Sequence, residues 1–155
     1  MGAQRRGRGQ RPQGLPPEEV NLFLDSSVLL AAAGSTSGAS RLLIISAKRE
    51  GWILLTSAYC VREAEHNLSK LAPKAAADWH RLIKPRLNIV GTHLVLDRPL
   101  IYRAVKDRPV VITALSLKTD LLLTLDRDDF HDLLGSSVYG LPIRTPGEFL
   151  RERRR

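Results

Sequence analysis

Short apolar runs alternate with helix-like segments between residues 20 and 150, and this alternation restricts the fold more than any other feature of the chain. Three of the runs are typical of buried strands: Val20 to Leu24, Trp52 to Leu55 and Leu121 to Leu125. The segments between them carry helical periodicity. Because parallel strands are joined by crossover helices, this order predicts an α/β fold with a central, mostly parallel sheet.

The remaining elements follow from shorter patterns. We predict a weak strand at Asn88 to Val90, a short edge strand at Pro142 to Arg144, and helices at Ser27 to Ala33, Ala39 to Arg49, Ser57 to about Leu71, Pro73 to about Ile83, Pro99 to Val105, Pro109 to Lys118 and near Glu148. Residues 1–19 are rich in Gly, Gln, Arg and Pro, which predicts a disordered basic tail. One domain is therefore expected over residues 20–150, with a second basic tail at 151–155.

The formal net charge of +8 is concentrated at the two ends of the chain. Residues 1–20 contribute +2 and residues 151–155 contribute +3, which leaves +3 for residues 21–150. Basic ends favour attraction to nucleic acid, although a solvated extension that aids solubility has the same composition.

Cysteine use and hydropathy restrict the expected location. Cys60 is the only cysteine, so no intramolecular disulfide can form, and a reducing, cytoplasmic compartment fits. We expect its thiol to be packed in the core. Every apolar stretch is interrupted well short of about 20 residues, so no membrane span is expected. No apolar segment precedes Val20, so a secretory signal is not expected either.

Four acidic residues stand at the ends of predicted elements. Asp25 follows the first strand, Glu63 lies in the helix after the second, Asp107 opens a helix and Asp126 closes the third strand. The helix from Pro109 extends roughly 16 Å and the strand after it returns roughly 16 Å, which places Asp107 and Asp126 at one sheet edge. Asp25 shares that edge if the strands are parallel, and open α/β sheets bind ligands there. Because carboxylates repel one another unless a cation holds them, we predict a divalent-metal site.

Each acid also has a purely structural interpretation. Asp25 or Asp107 can cap a helix, and Asp126 can form a turn. Glu63 and Glu65 flank the buried stripe of their helix on opposite sides, so periodicity does not choose between them.

Other residues that could carry chemistry are expected to have structural roles or do not form a recognisable site. Asp120 is expected to act as a cap or salt-bridge residue, and Trp52 and Trp79 as core residues. The four histidines are scattered without the spacing of a zinc site, and no glycine-rich phosphate loop is present.

Motifs spread over residues 21–150 resemble those of one family. Leu24 to Ser27 is similar to its opening Asp-Ser/Thr-Asn/Ser motif, and Ser57 to Leu68 to its S-x-y-v-x-x-E-v-x-x-N-L helix. Asp107 to Phe130 is similar to its long block D-x-P … A-L … D-x-L … T-x-D-x-D-F, and Ile143 to Leu150 to its closing I-x-T-P-x-E-F-L. On these motifs the chain resembles the PIN-domain proteins, in particular the VapC-type toxin-like ribonucleases.

The resemblance implies a fold, a chemistry and roles for individual residues. The implied fold has three layers, α/β/α, and the implied activity is cleavage of RNA with Mg²⁺ or Mn²⁺. The helix motif selects Glu63 over Glu65. The implied catalytic residues are Asp25, Glu63, Asp107 and Asp126, with Asp25, Asp107 and Asp126 as metal ligands and Ser27, Asn67, Thr124 and Asp128 around them. The implied partners are RNA, an antitoxin protein and a second copy of the chain.

The sequence departs from the family motifs at two places, and two other functions are compatible with it. Lys118-Thr119 replaces the usual Gly-Ala before Asp120, and Leu125 stands where Gly or Ala is common, but neither change removes a carboxylate. Asp128 has a turn interpretation as well. A non-catalytic nucleic-acid-binding module of the same fold and a small Mg²⁺-dependent phosphohydrolase are the alternatives to a toxin ribonuclease.

Overall fold

The computed structural model describes residues 19–91, 108–126 and 137–153. Its strands are β1 (Val20–Leu24), β2 (Trp52–Ser57), β3 (Asn88–Val90), β4 (Leu121–Leu123), β5 (Ser137–Val138) and β6 (Leu141–Arg144). Its α-helices are α1 (Ser26–Gly34), α2 (Ala39–Glu50), α3 (Ala58–Asn67), α4 (Pro73–Asp78), α5 (Arg108–Ser116) and α6 (Pro146–Arg153). A 3₁₀ turn (Leu68–Lys70) follows α3, and a π-helical turn (Trp79–Ile83) and a second 3₁₀ turn (Lys84–Arg86) follow α4. The helix predicted at Pro99 to Val105 lies outside the described residues.

The strands form one sheet in the order β3-β2-β1-β4-β6-β5. The first five of these are mutually parallel, and only the short β5 runs antiparallel, against β6. Tyr139 and Gly140 join β5 to β6, and both have positive φ, 47° and 80°. Positive φ at both central residues is the type I′ turn that suits a two-residue hairpin. The predicted mostly parallel sheet is confirmed.

The prediction that Pro142 to Arg144 forms an edge strand is wrong. This segment belongs to β6, which pairs with β4 on one side and with β5 on the other. The physical reason is the hairpin turn, which folds a two-residue strand onto the outer side of β6. A strand of two residues has no periodicity that a sequence pattern could reveal.

The central strands are buried on both faces, which accounts for their uninterrupted apolar sequences. Leu22, Phe23 and Leu24 of β1 are all 0 % exposed, and so are Leu122 and Leu123 of β4. Consecutive strand residues point to opposite faces of a sheet, so helices must cover both faces. The molecule is therefore the three-layer α/β/α arrangement that the sequence resemblance implies.

Helix boundaries agree with the predicted ones to within a few residues, but the buried face of α2 does not follow from hydrophobicity alone. Its core residues are Leu43, Ile44 and Ala47, whereas Leu42 and Ile45 are 46 % and 42 % exposed. The helix ends at Gly51, whose φ of 77° is the left-handed conformation that glycine adopts without strain. No single helix in the described residues is long and apolar enough to cross a membrane, and α1 and α2 meet that test only together, across a 98° bend.

A buried ion pair joins three helices. The Arg41 guanidinium of α2 donates to the main-chain oxygens of Ala32 and Ala33 at the end of α1, at 2.5 and 3.0 Å. It also lies 3.0 Å from Asp78 of α4, and both charged residues are buried. Arg41 thus satisfies carbonyl groups that the last turn of a helix leaves without a partner. This contact fixes the end of α1, the helix that follows Asp25, against α2 and α4.

Candidate metal centre

Asp25 lies where β1 ends, in the middle of the carboxyl edge of the sheet. Its main-chain N–H donates to Leu123 of β4 at 3.0 Å, and its main-chain oxygen accepts from Val28 at 3.0 Å. Asp25 occupies the N-cap position of α1, yet its side chain makes no capping hydrogen bond. The interpretation of Asp25 as a side-chain cap is therefore wrong, and its carboxylate is available for another role.

Two hydroxyl groups hold one oxygen of this carboxylate. Ser27 Oγ and Thr124 Oγ1 each donate to Asp25 Oδ2 at 2.8 Å. Each hydroxyl in turn accepts a main-chain N–H from the segment after β4: Leu125 donates to Ser27 at 2.9 Å, and Asp126 donates to Thr124 at 3.1 Å. The Thr124 N–H still donates to Arg144 of β6 at 3.0 Å, but the N–H groups of Leu125 and Asp126 are taken by these hydroxyls, and β4 ends at Leu123, two residues before the predicted end. They also tie the main chain of Asp126 to the side chain of Asp25.

The other oxygen, Asp25 Oδ1, has no hydrogen-bond partner among the described residues, although it is buried. The residue as a whole is 2 % exposed. Burial raises the pKa of Asp25, the hydrogen bonds from the Ser27 and Thr124 hydroxyls and from the Ser26 main chain oppose this rise, and the charge of Asp126 adds to it. A buried carboxylate oxygen without a partner is costly to fold, so it calls for a specific explanation.

Asp126 follows Thr124 by two residues and is half-buried. Its charge acts on Asp25 closely enough to raise the pKa of that carboxyl group. β1 and β4 are parallel neighbours, so Asp25 and Asp126, which follow them, stand at the same edge of the sheet, as the sequence predicts for parallel strands. Asp107 and Asp128 lie outside the described residues. Within residues 19–91, 108–126 and 137–153, no three acidic, histidine or cysteine side chains group around one point.

The tertiary structure separates the two glutamates of α3. Glu65 accepts from Lys84 Nζ at 2.6 Å and from Trp79 Nε1 at 3.4 Å, and the hydrogen bond from Lys84 lowers the pKa of Glu65. Glu65 thus ties α3 to the turns that follow α4. Glu63 is half-buried and lies one turn after Cys60, on the same face of the helix.

Cys60 shows which way that face points. The thiol is 0 % exposed, and burial together with the nearby charge of Asp25 raises the pKa of Cys60 to about 12. The face of α3 that carries Glu63 therefore begins beside Asp25. Asn67, one turn further on, donates to the main-chain oxygen of Glu63 at 2.8 Å, so this contact does not involve the carboxylate.

Hydroxyl residues stand at more strand ends than Ser27 and Thr124, the two that the family resemblance implies. Besides Ser27 and Thr124, Thr56 at the end of β2 is 0 % exposed and donates to the main-chain oxygen of Leu24 at 2.8 Å. Ser57 caps α3, and Thr145 after β6 caps α6. The signal was available in the sequence, because a Ser or Thr follows each of these apolar runs.

Comparison with known proteins supports the fold. No family model matches the chain, and no curated protein matches it in sequence. A chain in the crystal structure of VapBC2 from Rickettsia felis, bound to a DNA fragment from the promoter, superposes with a TM-score of 0.56 at 14 % identity and covers 81 % of this chain and 98 % of that one. VapC20 of Mycobacterium tuberculosis, a toxin that cleaves the sarcin-ricin loop, superposes with a TM-score of 0.49 at 16 % identity, over 72 % of this chain and 94 % of that one.

Proposed function

We propose that this chain, which has the fold of the VapC-type PIN domains, is a divalent-metal-dependent endoribonuclease. The observation that carries the proposal is the Asp25 carboxylate, which stands at the same sheet edge as Asp126. Two hydroxyl groups fix one of its oxygens, and the second is buried without a hydrogen-bond partner among the residues that the structure describes. A cation bound at Oδ1 would offset the cost of burying this oxygen without a hydrogen bond.

The donor set fits a hard cation. Carboxylate and hydroxyl oxygens are the ligands that Mg²⁺ and Mn²⁺ prefer, and no sulfur or imidazole ligand is required here. Asp25 and Asp126 would hold the ion, joined by Asp107 as the sequence resemblance implies. When bound, the ion lowers the pKa of an attacking water and offsets negative charge on the phosphodiester.

The protein residues themselves supply orientation and charge. Ser27 and Thr124 keep Asp25 in one rotamer, because each hydroxyl proton is committed to Oδ2 while each hydroxyl oxygen accepts a main-chain N–H. The same bonds hold the segment that carries Asp126 in register with β1. Glu63 would bind the ion or accept a proton from the attacking water. Asn67 and Asp128 would support this site from its surroundings.

RNA is the proposed substrate, and a toxin–antitoxin pair the proposed context. The net charge of +8 favours a polyanion, and charge at the chain ends adds affinity that does not depend on sequence. The fold neighbour VapBC2 is a complex of two proteins on promoter DNA, which supports an antitoxin protein as the partner of this chain. We also propose that the protein forms a homo-oligomer in the cytoplasm.

The direct test is cleavage of single-stranded RNA by the purified protein. We expect cleavage with Mg²⁺ or Mn²⁺, none in EDTA, and loss of activity in Asp25→Asn, Asp107→Asn and Asp126→Asn. Ser27→Ala or Thr124→Val should lower activity about 10- to 100-fold, as is typical for residues that orient a metal ligand.

Asp120→Asn is the matched control. This change removes the same charge from the opposite end of β4, where Asp120 Oδ2 accepts the Asn21 N–H at 2.7 Å and an amide oxygen can do the same. It should leave cleavage unchanged. RNA binding without cleavage in any metal would favour the non-catalytic module, and equal hydrolysis of mononucleotides would favour the phosphohydrolase.

A further inference from the structure

A groove of about 730 Å³ opens between the second half of α2 and the beginnings of β2 and β3. Apolar side chains of Ile44, Trp52 and Leu54 form its floor, and Ile45, 42 % exposed, stands at its side. β2 runs from Trp52 at the groove to Ser57 at the carboxyl edge, which is roughly 16 Å. The groove is therefore remote from Asp25 and forms no part of the candidate metal centre.

Three cations line this groove: Lys48, Arg49 and Arg86. Arg86 is anchored through a 2.6 Å bond to the main-chain oxygen of Leu82, so its guanidinium keeps donors for another group. Arg49 lies 3.4 Å from Glu50, but both side chains are well exposed and such pairs are weak. Among the described residues that line the groove, none is acidic.

Cations at the rim of an apolar groove whose described lining has no acidic residue favour an anionic occupant. Arginine binds phosphate through two parallel hydrogen bonds, and lysine does so as a point charge. A backbone that carries one phosphate per nucleotide can engage all three cations together, and a substrate cut at the carboxyl edge is long enough to extend this far.

We propose that this groove binds the sugar-phosphate backbone of single-stranded RNA at nucleotides remote from the cleaved bond. The proposal rests on the proposed ribonuclease function. It adds a surface that holds the substrate at the edge of the sheet opposite to the candidate metal centre. Contacts there raise affinity for long RNA and leave the chemical step unchanged.

Binding against salt concentration tests the groove without cleavage. RNA affinity is measured in EDTA for the wild type and for the groove variant Lys48→Gln/Arg49→Gln/Arg86→Gln. The control variant is Lys70→Gln/Lys74→Gln/Lys118→Gln, which removes the same charge from exposed positions outside the groove. Each lost phosphate contact lowers the log–log slope by about 0.7, so the groove variant should lose about 2 and the control much less. Thermal melts confirm that all three proteins are folded.

Kinetics with Mg²⁺ then separates the groove from the chemistry. For an RNA that spans the molecule, the groove variant should have a raised KM and an unchanged kcat, whereas for a dinucleotide it should match the wild type. Wild-type cleavage with an unchanged salt slope in the groove variant overturns the groove proposal and leaves the ribonuclease intact. A reduced slope in a protein that never cleaves RNA supports the groove and overturns the ribonuclease. Polyglutamate serves as a probe for acidic proteins. If the groove variant binds RNA as the wild type does but binds polyglutamate more weakly, the groove docks an acidic protein and the proposal is wrong.

Discussion

At the scale of single residues, Asp25 carries a cost that a metal ion would offset. Without metal, its buried carboxylate repels Asp126, and Oδ1 has no hydrogen-bond partner in the described part of the chain, so Asp25→Asn should be at least as stable as the wild type near pH 7. With Mg²⁺ at a hundredfold excess over Kd, the wild type should gain about 2.7 kcal/mol and the variant much less. Urea unfolding with and without Mg²⁺ measures both; an equal gain in the two proteins would argue against Asp25 as a ligand.

Glu65 gives a prediction about how the stability of the fold depends on pH. Lys84 lowers the pKa of this carboxyl group in the folded protein, so the contribution of Glu65 to stability is present above its ordinary pKa of 4.5 and is lost as pH falls through the folded-state value. Both side chains are more than a third exposed, so the pair contributes at most about 0.5 kcal/mol after solvent screening.

The test is the unfolding free energy of Glu65→Gln at neutral and at acidic pH. The variant should be less stable than the wild type at about pH 7 and equal to it at about pH 2, where the carboxyl group is protonated in both states. In a Lys84→Met background the effect of the substitution at about pH 7 should be clearly smaller, because only the weaker contacts of Glu65 with Trp79 and His80 are left. A deficit that persists at acidic pH would show that the ion pair is not the cause.

At the scale of elements, the end of α5 stores strain at a position where the family resemblance favours glycine. The Thr119 N–H donates to Ala114 and the Lys118 N–H to Leu115, the paired bonds of a Schellman motif. Lys118 occupies the left-handed position of this motif with φ 53°. A lysine pays a steric cost there that glycine does not.

Lys118→Gly should therefore stabilise the protein, by about 0.5 kcal/mol after allowing for the greater freedom of glycine in the unfolded chain. Ser116→Gly, two residues earlier and inside the helix, should destabilise it by a similar amount. Urea midpoints of both variants check the pair, and the same sign for both would contradict the assigned helix end.

At the scale of the whole molecule, charge is divided between the chain ends and the domain. Residues 1–18 carry four arginines, and Arg154 and Arg155 follow α6. α6 itself continues to Arg153, which lies over the Phe149 ring at 5.2 Å, while Glu152 lies 3.4 Å from Arg144. Variants that test the charge of the chain ends should therefore leave Glu152 and Arg153 unchanged.

Deleting residues 1–18 and changing Arg154 and Arg155 to Gln should reduce the salt dependence of RNA binding and leave kcat unchanged. Each phosphate that loses its contact contributes about 0.7 to the log–log slope. The measurement is the same salt titration in EDTA, together with single-turnover cleavage. An unchanged slope would mean that the chain ends do not contact RNA.

The sequence by itself determined which segments form the core strands, their mostly parallel arrangement, and the edge at which Asp25 and Asp126 stand. This was possible because buried parallel strands are continuous apolar runs, and because alternating helices and strands of matched length return the chain to one edge. Motif resemblance added the three-layer fold that the structure confirms. The metal, catalytic and RNA-binding roles remain proposals.

Only the tertiary structure decided which polar groups are satisfied and which apolar groups are buried. Glu65 differs from Glu63 because Lys84, 19 residues away, reaches it. Asp25 keeps Oδ1 open because Thr124, 99 residues away, takes Oδ2. Ile44 is buried and Ile45 exposed, although they are the same residue type and adjacent. Each of these outcomes depends on the orientation of groups that are distant in sequence, and no local periodicity encodes such an orientation.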